Sequence, residues 1–149
     1  MNRRAPRKLG RTSAVATDQV MYSLMHAAGA VERRLEEALA QVDLSMPKFG
    51  ALTHLVHAGE PISLSECASK MTCVRSNITQ LVDRLEADGL VRRVDDPSDR
   101  RGVKAAVTPL GIERQAAGAK LVEQVQKEFA KALSGVDRSA LARALAAIS

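Results

Sequence analysis

The chain has 149 residues, enough for one domain or one protomer of an oligomer with a sizeable core. Tyr22, Phe49 and Phe129 are its only aromatic residues, so the core must be aliphatic, and the abundance of alanine and leucine favours helix. Two cysteines are too few for a secreted disulfide framework, no apolar run approaches the ~20 residues of a membrane span, and the basic start lacks the apolar stretch of a signal peptide, so a cytoplasmic chain with no membrane partner is expected.

The net charge is +5, and its location is informative. Arg3, Arg4, Arg7, Lys8 and Arg11 stand without an acid, while the other 17 basic residues balance the 17 acidic ones. Residues 1–13 therefore read as a disordered basic arm of a kind suited to phosphate backbones. From about Ala14 to Val42 a long helix is expected. Met21, Leu24, Met25, Ala28, Val31, Leu35, Leu39 and Val42 recur at steps of three and four along one stripe. A helix of that length cannot bury its stripe against a small domain alone, so it is expected to pack on a partner subunit.

In "LSMPKFGALTHLVHAG", Ser45 is a cap, Pro47 suits the first helical turn and Gly59 the end. Phe49, Leu52, Leu55 and Val56 form the expected buried face. "SLSECASKM" opens on a capping box, Ser63 with Glu66, and predicts a short helix to about Met71. Thr72-Cys73-Val74 make a tight connection. "RSNITQLVDRLEADG" is then a second helix with Ile78, Leu81, Val82 and Leu85 inward and Gly89 after its end. "LVRRV" and "GVKAAV" read as two strands joined by the turn-rich tip "DDPSDRR". Thr108 caps a long helix, with Pro109 at its first position, running to about Leu133. A last helix spans about Arg138 to Ile148.

Short helix, tight turn, second helix and charged hairpin make a winged helix-turn-helix order. In such an arrangement the second helix enters the major groove of DNA by its N-terminal end. With the apolar stripe inward, the outward face near that end is Arg75, Ser76, Asn77, Thr79 and Gln80. Arginine can read guanine, and Asn or Gln adenine, by paired hydrogen bonds, whereas Ser and Thr more often hold phosphates. No Glu or Lys appears on this face before Asp83, which is unlike a helix face selected only for solubility. The hairpin is then a wing. Arg101 at its tip is expected to enter the minor groove, where negative potential is enhanced. Asp99 is expected to hold that arginine in one rotamer, and Arg100 and Lys104 to contact phosphate.

The segment "SECASKMTCVRSNITQLVDRLEADGLVRRVDDPSDRRGVKAAVTPLG" resembles the core of MarR-type (multiple antibiotic resistance regulator) transcription factors. The shared pattern is a helix ending in "LVDRLEADGLV", Asp-x-Arg in the wing at Asp99 and Arg101, and a Thr opening a long helix with Gly soon after, at Thr108 and Gly111. The resemblance spans about Leu44 to Gly111. Thr72 stands where a Gly is common in that family, and Val74 where a Ser or Thr often caps.

The resemblance implies a mainly α fold: a winged helix-turn-helix DNA-binding domain over residues 44–108 with a small β-hairpin wing, and a helical dimerisation region built from residues 14–43 and 109–149. It implies a homodimer on a pseudo-palindromic operator of double-stranded DNA, most simply a repressor. It also implies a small anionic aromatic effector held between the two regions. Met21, Tyr22, Met25, His26, His54 and His57 are the candidates to line that cleft.

Other chemistries have less to stand on. Cys67 and Cys73 raise the alternative of a redox-sensing regulator. Cys73, two residues from Arg75, is the better-placed thiol, whereas a buried free cysteine behaves as a small hydrophobe. His54 and His57 with the two cysteines lack the usual zinc spacing. No motif for catalysis, a cofactor or a phosphate loop is present, so an enzyme is not expected. A winged-helix protein–protein module is the remaining alternative, and such a module has no need of an arginine-rich wing.

Overall fold

The computed structural model describes residues 16–71 and 78–148, with backbone alone at Arg100 and Arg101. The expected basic arm and the turn at Thr72-Cys73-Val74 lie outside the described residues. The chain divides into two compact units, one up to Glu32 and one from Arg33 onward. The first carries most of helix α1 (Thr17–Ala40). There Val20, Met21, Tyr22 and Met25 are exposed.

In the second unit the elements follow as α2 (Met46–Ala58), β1 (Ile62–Ser63), α3 (Leu64–Lys70), α4 (Ile78–Ala87), β2 (Val91–Asp96), β3 (Asp99–Val107), α5 (Pro109–Ala132) and α6 (Arg138–Ala146). Leu39, Leu44, Ala51, Leu52, Leu55, Ile62, Cys67, Leu81, Val82, Leu85, Leu90, Val91 and Ala105 form one aliphatic core. The stripe read along α1 is therefore divided: Leu39 is buried in the chain's own core, and Val42 just beyond the helix packs against it, whereas Met21 and Met25 are exposed.

Local chemistry sets the element ends. Ser45 accepts from the Lys48 N–H (3.4 Å) at the start of α2, Ser63 from Glu66 (3.1 Å) at α3, and Thr108 from Gly111 (3.1 Å) at α5. The capping box at Ser63 closes on one side only. Its hydroxyl caps the helix, while the Glu66 carboxylate turns to Lys70 (3.2 Å) and the Ser63 backbone joins a strand. Between α1 and α2 the chain turns through Asp43 in the left-handed region (φ 55°), which an aspartate tolerates better than most residues. Arg114 of α5 holds that turn, donating to the Val42 carbonyl (3.0 Å) and to the Asp43 carboxylate (3.2 Å).

The sheet is three-stranded and antiparallel, in the order β1-β3-β2. β1 pairs Ile62 with Ala105 and Ser63 with Lys104. It adds a strand where the residue types suggest only a break and a cap. It is two residues long, too short for an alternating pattern to register. The hairpin strands also run further than expected. Pairing continues through Asp95↔Val103 and, past an irregularity, to Asp96↔Asp99, so the tip shrinks from seven residues to the turn at Pro97-Ser98.

Candidate nucleic-acid interface

Helix α4 presents two faces. Leu81, Val82 and Leu85 are buried and Ile78 packs against them, each full burial worth roughly 1.5–3 kcal/mol. The opposite face exposes Thr79, Gln80, Asp83 and Arg84. Thr79 and Gln80 thus lie on the solvent side of the first described turn, as the periodicity predicts. Arg75, Ser76, Asn77 and Cys73 lie outside the described residues.

The far end of α4 is fixed from two directions. Lys48, at the start of α2, pairs with Asp88 at 2.6 Å. Gly89 then turns the chain with φ 73°, a conformation L side chains resist. The Leu90 N–H returns to the Leu85 carbonyl (2.9 Å), and Thr108 donates its hydroxyl to the Gly89 carbonyl at 2.6 Å. The entry to the wing and the start of α5 therefore share one turn.

Arg93 of β2 is the contact that sequence reasoning missed. Its guanidinium pairs with Asp83 through one nitrogen and with Glu86 through another, and its backbone N–H donates to Glu86 (3.0 Å). Asp83 and Glu86 are three apart, on one edge of α4. The Arg93 N–H first, then its side chain, holds the Glu86 carboxyl below its ordinary value, and the same network raises Arg93 further, with Asp83 the larger contributor. A signal was available: neither acid has a basic partner four residues on along α4, so both were free to meet an arginine from the following strand.

At the wing, Asp96 accepts from the Ser98 hydroxyl (2.7 Å) and N–H (2.9 Å), which closes the tip and lowers its carboxyl pKa, with a smaller contribution from Lys104. Lys104 stands 3.5 Å from Asp96. This residue, expected at phosphate, is thus ion-paired within the hairpin. Asp99 opens β3 opposite Asp96, and the backbone of Arg100 and Arg101 follows in the strand.

The six cleft candidates fall in both compact units. Met21, Tyr22, Met25 and His26 lie in the first unit, on exposed positions of α1, and His54 and His57 lie on α2 in the second. His57 donates from Nδ1 to the Thr53 carbonyl (2.7 Å), which fixes its tautomer while the ring is neutral, and His54 is half-buried. A groove of about 500 Å³ between residues 34–41 and 121–128 is lined by none of the six. Cys67 is fully buried in the core, and burial pushes its thiol pKa up, partly offset by Lys70. It has the properties of a core hydrophobe, not of a reactive thiolate.

Among the described residues, no helix is long and apolar enough to cross a membrane. The MarR family model matches residues 44–103. The helix-turn-helix-type transcriptional regulator YsmB of Bacillus subtilis (strain 168) is 36% identical over 89 residues, which span 60% of each chain. The transcriptional repressor CouR, solved on a 23-mer DNA duplex, superposes with a TM-score of 0.74 at 29% identity, over 89% of this chain and 93% of that one. CouR from Rhodococcus jostii RHA1, solved with p-coumaroyl-CoA, gives a TM-score of 0.70 at 25% identity, over 91% and 93%. The family match lies on the helices and hairpin just described: residues 44–103 match the MarR family, and the wider chain is similar to transcriptional regulators of the winged helix-turn-helix type.

Proposed function

We propose that the chain acts as a homodimeric, sequence-specific DNA-binding repressor in the cytoplasm, with residues 44–108 as its DNA-binding part and residues 14–43 and 109–149 as its dimerisation part. Helix α4 enters the major groove, with Arg75, Ser76, Asn77, Thr79 and Gln80 reading or positioning. The wing lies along the flanking minor groove, with Arg101 inserted, Asp99 ordering it, and Arg100 and Lys104 nearest the phosphates. The observation that carries this reading is the exposed turn at Thr79 and Gln80, set over a buried apolar stripe on a helix joined by charge to its wing. The likeness to CouR on its duplex supports it.

Exposed apolar side chains in each unit support a second copy as partner: Met21, Tyr22 and Met25 in the first, Phe129, Val136 and Leu145 in the second. The basic arm of residues 1–13 adds phosphate contacts. The CouR complex with p-coumaroyl-CoA supports an anionic aromatic effector here too, with Met21, Tyr22, Met25, His26, His54 and His57 as the first residues to substitute in locating its site.

Titrating the Arg101→Ala variant against a duplex that the wild type binds tests the wing assignment. Weaker binding with an unchanged melting midpoint is expected. Equal affinity removes the wing from the interface. Sedimentation of the free chain is expected to give a dimer, and a monomer at micromolar concentration would contradict the two-fold reading.

A further inference from the structure

Arg93 joins the wing to the reading helix by three bonds, two to Glu86 and one to Asp83. Its side chain is only 28% exposed, so it lies against the protein and not out toward a ligand. Two of its guanidinium nitrogens already serve carboxylates. The planar fork of arginine fixes direction as well as distance, which a lysine cannot do. The geometry points to Arg93 as a positioning residue for DNA recognition: it locks β2 to α4, so that the wing and the reading helix meet the duplex as one rigid piece. This inference rests on the DNA-binding reading above and adds a residue that touches no DNA in it.

The lock has a second consequence. Asp83 lies one turn beyond Thr79 and Gln80 on the exposed side of α4. Left bare, it would face the phosphates with its negative charge. Tied to Arg93, it is compensated. Positioning and charge compensation therefore act at the same residue, and they predict opposite signs in one variant.

That variant is D83N/E86Q. It frees Arg93 and makes the chain more positive by two charges, so charge alone would tighten binding to any duplex. Positioning predicts at least about tenfold weaker binding to a duplex selected from a random pool, since a mislaid docking geometry loses contacts together. Arg93→Met should weaken the same binding to a similar degree. The slope of log affinity against log salt should be unchanged, because a residue that touches no phosphate releases no counterion. A fall in that slope of about 0.9 would make Arg93 a phosphate contact and overturn the proposal. Arg93→Lys should recover only part of the loss.

Amide exchange supplies a readout that needs no DNA. In both R93M and D83N/E86Q, amides of β2 and the last turn of α4 should exchange several-fold faster, with the core of α2 unchanged. Unchanged β2 exchange in both variants overturns the proposal. If the wild type selects no duplex while β2 loosens in both variants, the lock stands and the DNA-binding reading falls.

Discussion

Gly111 lies against the backbone of Leu90: a Cβ built on it would come 2.1 Å from the Leu90 carbonyl oxygen and 2.8 Å from Val107. The first turn of α5 can sit this close to the entry of the wing only without a side chain. Gly111→Ala is expected to destabilise the fold by upwards of about 3 kcal/mol, since the obstacle is backbone and cannot rotate away. Gly29, inside α1, is the opposite case, because a Cβ added there would meet nothing within 4 Å. Gly29→Ala should stabilise by about 0.4–1 kcal/mol. Denaturant unfolding of the two variants checks both signs.

Thr108 serves the same junction from the other side. Its hydroxyl accepts from the Gly111 N–H and donates to the Gly89 carbonyl at 2.6 Å. Thr108→Val keeps the shape and removes both bonds, and should cost about 1–2 kcal/mol. Thr108→Ser should recover most of it. Equal losses in the two variants would show that the methyl packing matters as much as the hydroxyl.

The lock between Arg93 and Glu86 should be sensitive to acid. Glu86 titrates below its ordinary value of 4.5 because the Arg93 N–H and guanidinium bind its charged form. The folded state therefore holds this proton less tightly than the unfolded state does. Its contribution is fully present above the ordinary value and is lost as the pH falls through the depressed one. Exchange of β2 amides, corrected for the intrinsic rate, should rise as the pH drops below 4.5, and Glu86→Gln should flatten that rise. A pH-independent corrected rate in the wild type would contradict it.

Cys67 should resist modification. It is buried and its thiol is held in the protonated form. Brief treatment with an alkylating reagent near neutral pH, followed by mass analysis of peptides, should leave Cys67 unmodified until the chain is denatured. Labelling of native Cys67 as fast as a free thiol would contradict the packing described.

The helices were legible because their signals are local and repeated. Ser45, Ser63 and Thr108 cap as expected, and Leu81, Val82 and Leu85 fall inward at helical spacing. The wing was legible as a hairpin but not in its length. Charged residues such as Asp95, Asp96 and Asp99 read as turn chemistry, yet they pair within the strands because the tip is closed by the Asp96–Ser98 bonds. β1 carries no pattern of its own and exists through its pairing with Ala105 and Lys104. Arg93 was missed for a different reason. An arginine in a wing invites a DNA role, and its actual partners, Asp83 and Glu86, lie on the preceding helix, where sequence spacing alone cannot aim them.

The most direct test of the central claim is selection of bound duplexes from a randomised pool at about physiological salt, where sequence-independent phosphate binding is weakened. A two-fold dimer reading through α4 predicts recovery of an inverted repeat, with half-site centres about 10 base pairs apart or a multiple of that, and weakened discrimination at one base position in the Gln80→Ala variant. Recovery of no motif, with binding that only falls as salt rises, would contradict it.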